Sequence, residues 1–341
     1  MKVVIRADAS TSIGTGHLMR CLALAKALSA DNQITFICNQ LESALAATIR
    51  HQGFQLHMLL ESLADETLQA KRCLDLLTDD VELLIVDHYQ LGASFCRTMR
   101  QKCQRVMVID DLADRTHDCD LLLDQNFLPD MQQRYKHLVP VSCRCLLGPR
   151  FVLLRQEFYQ EPARQRDRLL VFFGGADEKN LTRRALLAAQ ELGELAPAID
   201  VVLGAANPWI SELSLEFANI PRISWHINCS YMARLMARAS LSLGAGGGTH
   251  WERAFMGVPS FVITVAENQR ATTAYLAELG ACRWLGDDTI STADIKAALA
   301  TAFNAPQELS ILAANARKIM PAVAGSSSVI DAIYETVGYG T

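Results

Sequence analysis

The sequence predicts an α/β protein with two parallel-sheet domains that face a central cleft. Short apolar runs alternate with segments of helical periodicity along the 341 residues. Several of these runs end in polar residues or in closely spaced glycines, and a charged stretch near the middle interrupts the alternation. We therefore predict an N-terminal domain over residues 1–160 and a C-terminal domain over residues 161–341.

The first domain is predicted to begin with a strand at Lys2–Ala7, a glycine-containing polar loop and a helix over 17–29. Further strands follow at 34–38, 54–58, 81–86, 105–109 and 120–123, and helices separate most of them. Ligands of parallel sheets bind beyond the carboxyl ends of the strands. The side chains expected at that edge are Asp8, His17, Asp87, Tyr89, Asp111 and Asn126.

The second domain contains two glycine turns after predicted strands. One is Gly174-Gly175, after a strand at 168–173, and the other contains Gly246-Gly247, between a strand at 241–243 and a helix at 249–256. Glycines let backbone amides approach a ligand, and the helix start that follows favours anions. This pattern predicts a nucleotide diphosphate site, although a tight turn without a ligand is an equally good interpretation of a glycine cluster by itself.

Composition excludes several other classes of protein. A net charge of -5 without a basic stripe argues against nucleic-acid binding, and no apolar run is long enough to span a membrane. The ten cysteines have no framework spacing, which predicts reduced thiols in a cytoplasmic protein. The dispersed histidines predict no metal site, and no motif calls for a cofactor.

His17 follows Gly14-Thr15-Gly16 at the start of the first predicted helix. A neutral imidazole can accept a proton from water or a hydroxyl group near neutral pH. His17 is thus a candidate general base, with simple packing in the first helical turn as the alternative. Asn268 and Gln269 begin another helix, where Asn268 could equally serve as a cap.

Four blocks, in this order, identify a resemblance: RADASTSIGTGHLMRCLALA, FGGAD, GAGGGTHWE and AENQ. Together they resemble the PseG family of pseudaminic acid biosynthesis, within the GT-B superfamily, and the C-terminal blocks also resemble MurG-type glycosyltransferases. The resemblance covers nearly the whole chain and implies a GT-B fold of two Rossmann-like domains. It further implies hydrolysis of UDP-2,4-diacetamido-2,4,6-trideoxy-β-L-altropyranose to UDP and the free sugar. The turn here is GGGT, where related enzymes often have GGS.

The resemblance also implies roles for individual residues. His17 would activate water for attack at C1, with inversion and C–O cleavage, and Glu252 would bind the uridine ribose. Asn268 and Gln269 would face the sugar. The remaining candidate substrate-binding residues are those of the phosphate cradle (Gly246, Gly247, Thr249), the nucleotide pocket (Gly174, Gly175), the loop before His17 (Gly14, Gly16), and three others suggested by their position alone (Asp8, Tyr89, Arg155).

Three alternatives share parts of this pattern. A MurG-type UDP-sugar glycosyltransferase would need an acceptor and tends to carry an apolar and basic membrane-facing patch, which the N-terminal half does not show clearly. A non-catalytic nucleotide-sugar binding protein would not need a base at His17. A UDP-sugar 2-epimerase is more distant. For the hydrolase, a UDP-sugar is the expected substrate and UDP the expected product, and the sequence does not indicate an oligomeric state.

Overall fold

A computed structural model of the chain describes residues 1–9, 15–30, 32–59, 65–160, 165–205, 207–321 and 324–339. The chain divides into two compact units. Unit 1 is Met1–Arg155 together with Ala322–Thr341, and unit 2 is Gln156–Pro321. The predicted domain boundary after residue 160 adjoins residues 161–164, which lie outside the described part. Both units have the α/β architecture that the sequence predicts.

Unit 1 is built on a seven-stranded parallel sheet with helices between many of its strands. Its strands are β1 (Lys2–Ala7), β2 (Gln33–Cys38), β3 (Gln55–Met58), β4 (Val81–Asp87), β5 (Cys103–Ile109), β6 (Leu121–Asp124) and β7 (Arg144–Leu147). Its helices before the domain junction are α1 (Gly16–Leu28), α2 (Ser43–His51), α3 (Glu66–Leu76) and α4 (Ala93–Met99). The strand order is β3-β2-β1-β4-β5-β6-β7, which puts β1 and β4 side by side.

Alternate residues of β1 enter different hydrophobic cores. Val3 and Ile5 pack with α1 and β2, whereas Val4 packs with the cluster that contains Val86 and Phe95. Successive side chains of a strand point to opposite faces of a sheet, so both faces of this sheet are covered. Such two-sided burial explains why the central strands are continuous apolar runs in the sequence.

Unit 2 is built on a six-stranded parallel sheet of order β10-β9-β8-β11-β12-β13. Its strands are β8 (Arg168–Phe172), β9 (Ala198–Leu203), β10 (Ile223–Ile227), β11 (Ala239–Ala245), β12 (Ser260–Thr264) and β13 (Arg283–Asp287). Its helices are α5 (Leu181–Glu191), α6 (Ile210–Glu216), α7 (Met232–Arg238), α8 (Thr249–Met256), α9 (Arg270–Glu278), α10 (Thr292–Asn304) and α11 (Pro306–Ile319). The central strands β8 and β11 end at the two glycine turns.

The last helix, α12 (Ser326–Val337), belongs to unit 1 and not to the second domain in which the sequence-based division placed it. Val329 and Ile333 are fully buried in the same core as α1 and β1. At the helix surface, Arg105 Nε donates a hydrogen bond to the carbonyl of Thr336 (3.0 Å). The apolar face of α12 thus contributes to the core of unit 1.

One strand of unit 1 was not predicted. β7 lies at the edge of the unit 1 sheet, beyond the last strand that the sequence predicts for the first domain. It has four residues, Arg-Cys-Leu-Leu, which are too few to show a clear period.

Among the described residues, no helix combines the length and the apolar character needed to cross a membrane.

Candidate functional site

His17 lies in the first turn of α1, directly over the carboxyl ends of β1 and β4. Its side chain is 7% exposed, and its Nδ1 atom lies 2.5 Å from Oδ1 of Asp87, the last residue of β4. The Tyr89 ring meets the imidazole edge-on, with centroids 4.3 Å apart. Three of the side chains expected at this sheet edge are therefore in direct contact.

The bond to Asp87 decides which imidazole nitrogen is available for chemistry. Arg20 Nη2 also lies 3.1 Å from Nδ1, but it donates to Asp87 Oδ1 at 2.6 Å. Because a carboxylate only accepts hydrogen bonds, the shorter contact of Nδ1 with Asp87 requires Nδ1 of a neutral His17 to carry the hydrogen and donate it. We assign the tautomer on this basis. Nε2 then holds the lone pair, and it has no hydrogen-bond partner in the part of the chain that the structure describes. Nε2 is thus available to accept a proton.

Arg20, one turn after His17, holds the Asp87 carboxylate in its charged form. Its Nε and Nη2 atoms donate to the two carboxylate oxygens, each at 2.6 Å. Burial by itself would raise the pKa of Asp87, but the charge of Arg20 and the hydrogen bonds from Arg20 and His17 outweigh burial and hold the pKa well below its usual range. Asp87 therefore stays ionised and orients the imidazole over the whole physiological pH range.

Asp111 and Asn126 continue this cluster along the sheet edge. Oδ2 of Asp111 lies 3.5 Å from the Tyr89 hydroxyl group and 3.7 Å from Nη1 of Arg20, and Asn126 Nδ2 donates to the Asp111 carbonyl (3.2 Å). Burial raises the pKa of the Asp111 carboxyl group despite the nearby Arg20 charge. Burial, reinforced by the charge of Asp111, also raises the pKa of Tyr89, so its hydroxyl group remains protonated and can donate.

Asp8 is at the same edge, but its carboxylate is engaged elsewhere. Arg6 donates to both of its oxygens (2.5 and 3.0 Å), the amide of Asn39 donates to Oδ1 (2.7 Å), and His88 Nε2 lies 3.1 Å from Oδ2. Asp8 is buried and joins three segments of unit 1. These contacts describe a structural anchor, whereas Asp87 is the carboxylate that orients His17.

The other candidates in unit 1 occupy less informative positions. Gly16 is the first residue of α1, and a Cβ atom there would meet nothing within 4 Å. Arg155 is partly buried at the end of the first segment of unit 1. Gly14 lies outside the described residues.

In unit 2, the turn after β11 exposes backbone amides at the start of α8. Gly247 has φ +79°, in the left-handed region, and the amides of Gly247 and Gly248 donate no hydrogen bond to any residue that the structure describes. Thr249 is the first residue of α8 and is partly buried. Unpaired amides at a helix N-terminus are a binding site for anions, so this geometry fits the predicted phosphate cradle.

A second turn, after β8, lies at the same edge of the unit 2 sheet. Gly174 has φ +92°, and the amide of Gly204, after β9, donates to the carbonyl of Gly175 (3.1 Å). A Cβ atom at Gly204 would lie 2.4 Å from that carbonyl oxygen, so the close approach requires glycine. Gly204 was not among the predicted residues, because an isolated glycine after a strand is a weak signal.

The remaining candidates surround the turn after β11. Glu252 is partly buried in the first turn of α8. Gln269 packs against Gly246, and its Oε1 atom accepts a hydrogen bond from the amide of Val265 (3.0 Å). The N-cap of α9 is Gln269, without a side-chain cap bond, so Asn268 does not take the N-cap position of α9 that was the alternative to a binding role. Asn268 lies in the short 3-10 turn before that helix.

The comparison with curated proteins identifies the family. The chain is 30% identical over 285 residues to the UDP-2,4-diacetamido-2,4,6-trideoxy-β-L-altropyranose hydrolase of Campylobacter jejuni, covering 82% of this chain and 97% of that protein. The chain belongs to the family of this hydrolase. It is also 24% identical over 293 residues to the spore coat polysaccharide biosynthesis protein SpsG of Bacillus subtilis, covering 84% of each. No protein-family model matches the chain.

Solved structures confirm the predicted GT-B fold. MurG of Acinetobacter baumannii superposes with a TM-score of 0.64 at 17% identity and covers 98% of this chain and 99% of its own. The spinosyn rhamnosyltransferase SpnG, solved with spinosyn aglycone, gives 0.66 at 15% identity, covering 98% and 100%. The structural neighbours establish the fold, and the family relationship supports an enzyme that acts on UDP-sugars.

Proposed function

We propose that the protein hydrolyses UDP-2,4-diacetamido-2,4,6-trideoxy-β-L-altropyranose to UDP and the free sugar. The observation that carries the proposal is the 2.5 Å contact between His17 and Asp87, in a chain 30% identical to that hydrolase. A base fixed by a buried carboxylate is what water activation requires. A protein that only bound the nucleotide-sugar would have no use for this pair.

In the proposed reaction, Nε2 of His17 accepts a proton from water while the water oxygen forms a bond to C1 of the sugar. The bond between C1 and the diphosphate oxygen breaks, and its electron pair leaves with UDP. Attack on the face opposite the leaving group inverts C1. Asp87 stabilises the imidazolium ion that forms, and Arg20 keeps Asp87 charged.

Unit 2 would bind the leaving group. The amides of Gly247 and Gly248 and the start of α8 would meet the negative charge that develops on UDP. Because a nucleoside diphosphate is a good leaving group, the proposed reaction does not require the protonating carboxylic acid of ordinary glycosidases. Glu252 would accept hydrogen bonds from the ribose, Gly174 and Gly175 would line the nucleotide pocket, and Asn268 and Gln269 would contact the sugar.

The direct test is UDP release from this UDP-sugar by the purified protein with no acceptor present. We expect steady release of UDP, one solvent oxygen-18 atom at C1 of the free sugar when the reaction is run in labelled water, and none in UDP. NMR of the first product should show the inverted anomer. Label in UDP would mean P–O cleavage, and absence of release above background would contradict hydrolysis.

A UDP-sugar glycosyltransferase is the second candidate, because solved glycosyltransferases share the fold. A transferase would release UDP slowly in water and much faster once an acceptor is added. Addition of candidate acceptors such as lipid-linked sugars to the same assay distinguishes the two reactions. Acceleration with transfer of the sugar to the acceptor would favour the transferase.

His17→Ala tests the assigned base. We expect kcat to fall by about 10²–10⁴-fold, the usual contribution of a general base, with the affinity for UDP unchanged. His51→Ala is the matched control, because His51 is an exposed histidine at the end of α2. Wild-type turnover in the His17 variant would show that another group activates the water.

A further inference from the structure

Arg253 is a fully buried cation in α8, with only 1% of its surface exposed. Its Nη2 atom donates to the carbonyl of Ala245 (2.9 Å) and lies 3.4 Å from Nδ1 of His250. Its Nε and Nη1 atoms are buried and have no hydrogen-bond partner in the described part of the chain. The guanidinium group therefore uses only a small part of its donor capacity.

No carboxylate forms an ion pair with Arg253 among the residues that the structure describes. The buried Arg6 of unit 1, by contrast, pairs with both oxygens of Asp8. Burial lowers the pKa of Arg253 to about 10, so it remains charged at neutral pH. Burial and the nearby Arg253 charge hold the pKa of His250 well below its usual range, so His250 is neutral there.

An unpaired buried charge is destabilising, and apolar residues of similar volume are usually tolerated better at such positions. The location of Arg253 indicates what the missing counter-charge is. Ala245, whose carbonyl it holds, is the last residue before the glycine turn, and the unpaired amides of Gly247 and Gly248 follow directly. Next to the turn, Nε2 of His250 and Oγ1 of Thr273 form a hydrogen bond of 3.0 Å.

We infer that Arg253 is a positioning residue for a diphosphate group: it fixes the carbonyl that precedes the glycine turn and supplies the positive charge behind it. This inference rests on the proposed function, which places UDP at this turn. A nucleotide diphosphate would provide the counter-charge that the described residues lack. The charge acts through the protein interior, where electrostatic attraction is only weakly screened.

The test compares UDP with uridine, which lacks the phosphates. Binding is measured by calorimetry for UDP and by ligand-observed NMR for uridine at millimolar concentration. We expect Arg253→Met to weaken UDP binding about tenfold, a difference of 1.4 kcal/mol, and to change uridine binding less than twofold. Arg317→Met is the matched control, because Arg317 is an exposed arginine beside Gly257, at the other end of α8.

Two further variants separate charge from packing. Arg253→Lys keeps the charge and should bind UDP within about threefold of the wild type, whereas Arg253→Gln loses the charge and should resemble Arg253→Met. This pair decides the question if Arg253→Met does not fold. Without nucleotide, the thermal midpoint of Arg253→Met should not fall below that of the wild type, and its increase on adding UDP should be smaller.

Each outcome bears on a specific claim. Unchanged UDP affinity in both Arg253→Met and Arg253→Gln would overturn the inference and leave the proposed function standing. Equal losses for UDP and uridine, with a lowered midpoint in the absence of nucleotide, would show that Arg253 only supports the fold. If the wild type itself does not bind UDP, the nucleotide site of the proposed function fails and the inference fails with it.

Discussion

At the carboxyl edge of the unit 1 sheet, two buried or partly buried arginines each pair with a carboxylate, whereas behind the glycine turn of unit 2 a buried arginine has no carboxylate partner among the described residues. Arg6 pairs with Asp8, and Arg20 with Asp87. In unit 2, Arg253 donates to a carbonyl group, and the amides of Gly247 and Gly248 remain unpaired. Unit 1 is thus organised to fix side chains in place, and unit 2 has unmet capacity for an anion.

This contrast matches the two tasks in the proposed reaction. A general base must be held in one orientation and one tautomer before the substrate arrives, which requires partners within the protein. A leaving-group site gains more from donors that have no partner until the ligand is bound. The predictions below test each side of the contrast, in order of decreasing expected effect.

The largest effect is expected for Asp87→Asn. Loss of the carboxylate removes the charge that orients His17 and stabilises its imidazolium form, so kcat should fall about a thousandfold, or roughly 4 kcal/mol in activation free energy. UDP affinity should change little, because the proposed leaving-group site lies in unit 2. The measurements are steady-state hydrolysis and calorimetry with UDP. A kcat within threefold of the wild type would contradict the assigned role of Asp87.

The second prediction concerns Asp8, which we interpret as an anchor. Asp8→Asn leaves Arg6 buried without its counter-ion, so the free energy of unfolding should fall by about 3 kcal/mol at pH 7. Affinity for UDP should stay unchanged. Urea unfolding measures the loss, and Asp79→Asn, which removes an exposed partner of Lys2, is the control with little expected change. An unaltered stability together with weakened substrate binding would return Asp8 to the binding site.

The loss of stability caused by Asp8→Asn should depend on pH in a definite direction. Burial tends to raise the pKa of Asp8, but its hydrogen bonds to His88 and Arg6 and the Arg6 charge lower it well below the usual value. A carboxyl group whose pKa is lowered in the folded state stabilises the protein at pH values above its unfolded-state pKa, which is about 3.9 for an aspartate. The difference in stability between the wild type and Asp8→Asn should therefore persist at neutral pH and shrink as the pH falls below about 4.

The sequence predicted the architecture well because strand and helix periodicity are local properties. It also predicted that His17, Asp87 and Tyr89 share one sheet edge, since the carboxyl ends of parallel strands lie together. It did not predict which carboxylate orients His17. Asp8 directly follows β1 and Asp87 ends β4, and only the packed structure shows that Asp8 is held by Arg6 and His88.

Other features depended on contacts that local patterns do not contain. The packing of α12 on unit 1 joins residues about three hundred positions apart, such as Asn32 and Tyr334, whose side chains hydrogen-bond (3.2 Å). In the sequence, Arg253 is indistinguishable from an ordinary charged helix residue beside Glu252. Its side chain is buried against the end of β11, where it donates to the Ala245 carbonyl, and this orientation is a property of the tertiary structure.

The smallest predicted effect concerns two adjacent glycines in the turn after β11, which differ in backbone conformation. Gly247 has φ +79°, so Gly247→Ala should lower the free energy of unfolding by about 1 kcal/mol, the cost of placing a side chain in the left-handed region. The adjacent Gly248 has φ -55° and open space around a Cβ atom, so Gly248→Ala should leave stability nearly unchanged. Urea unfolding of both variants measures this difference. Equal losses would mean that the left-handed conformation of Gly247 is not what makes glycine necessary at this turn.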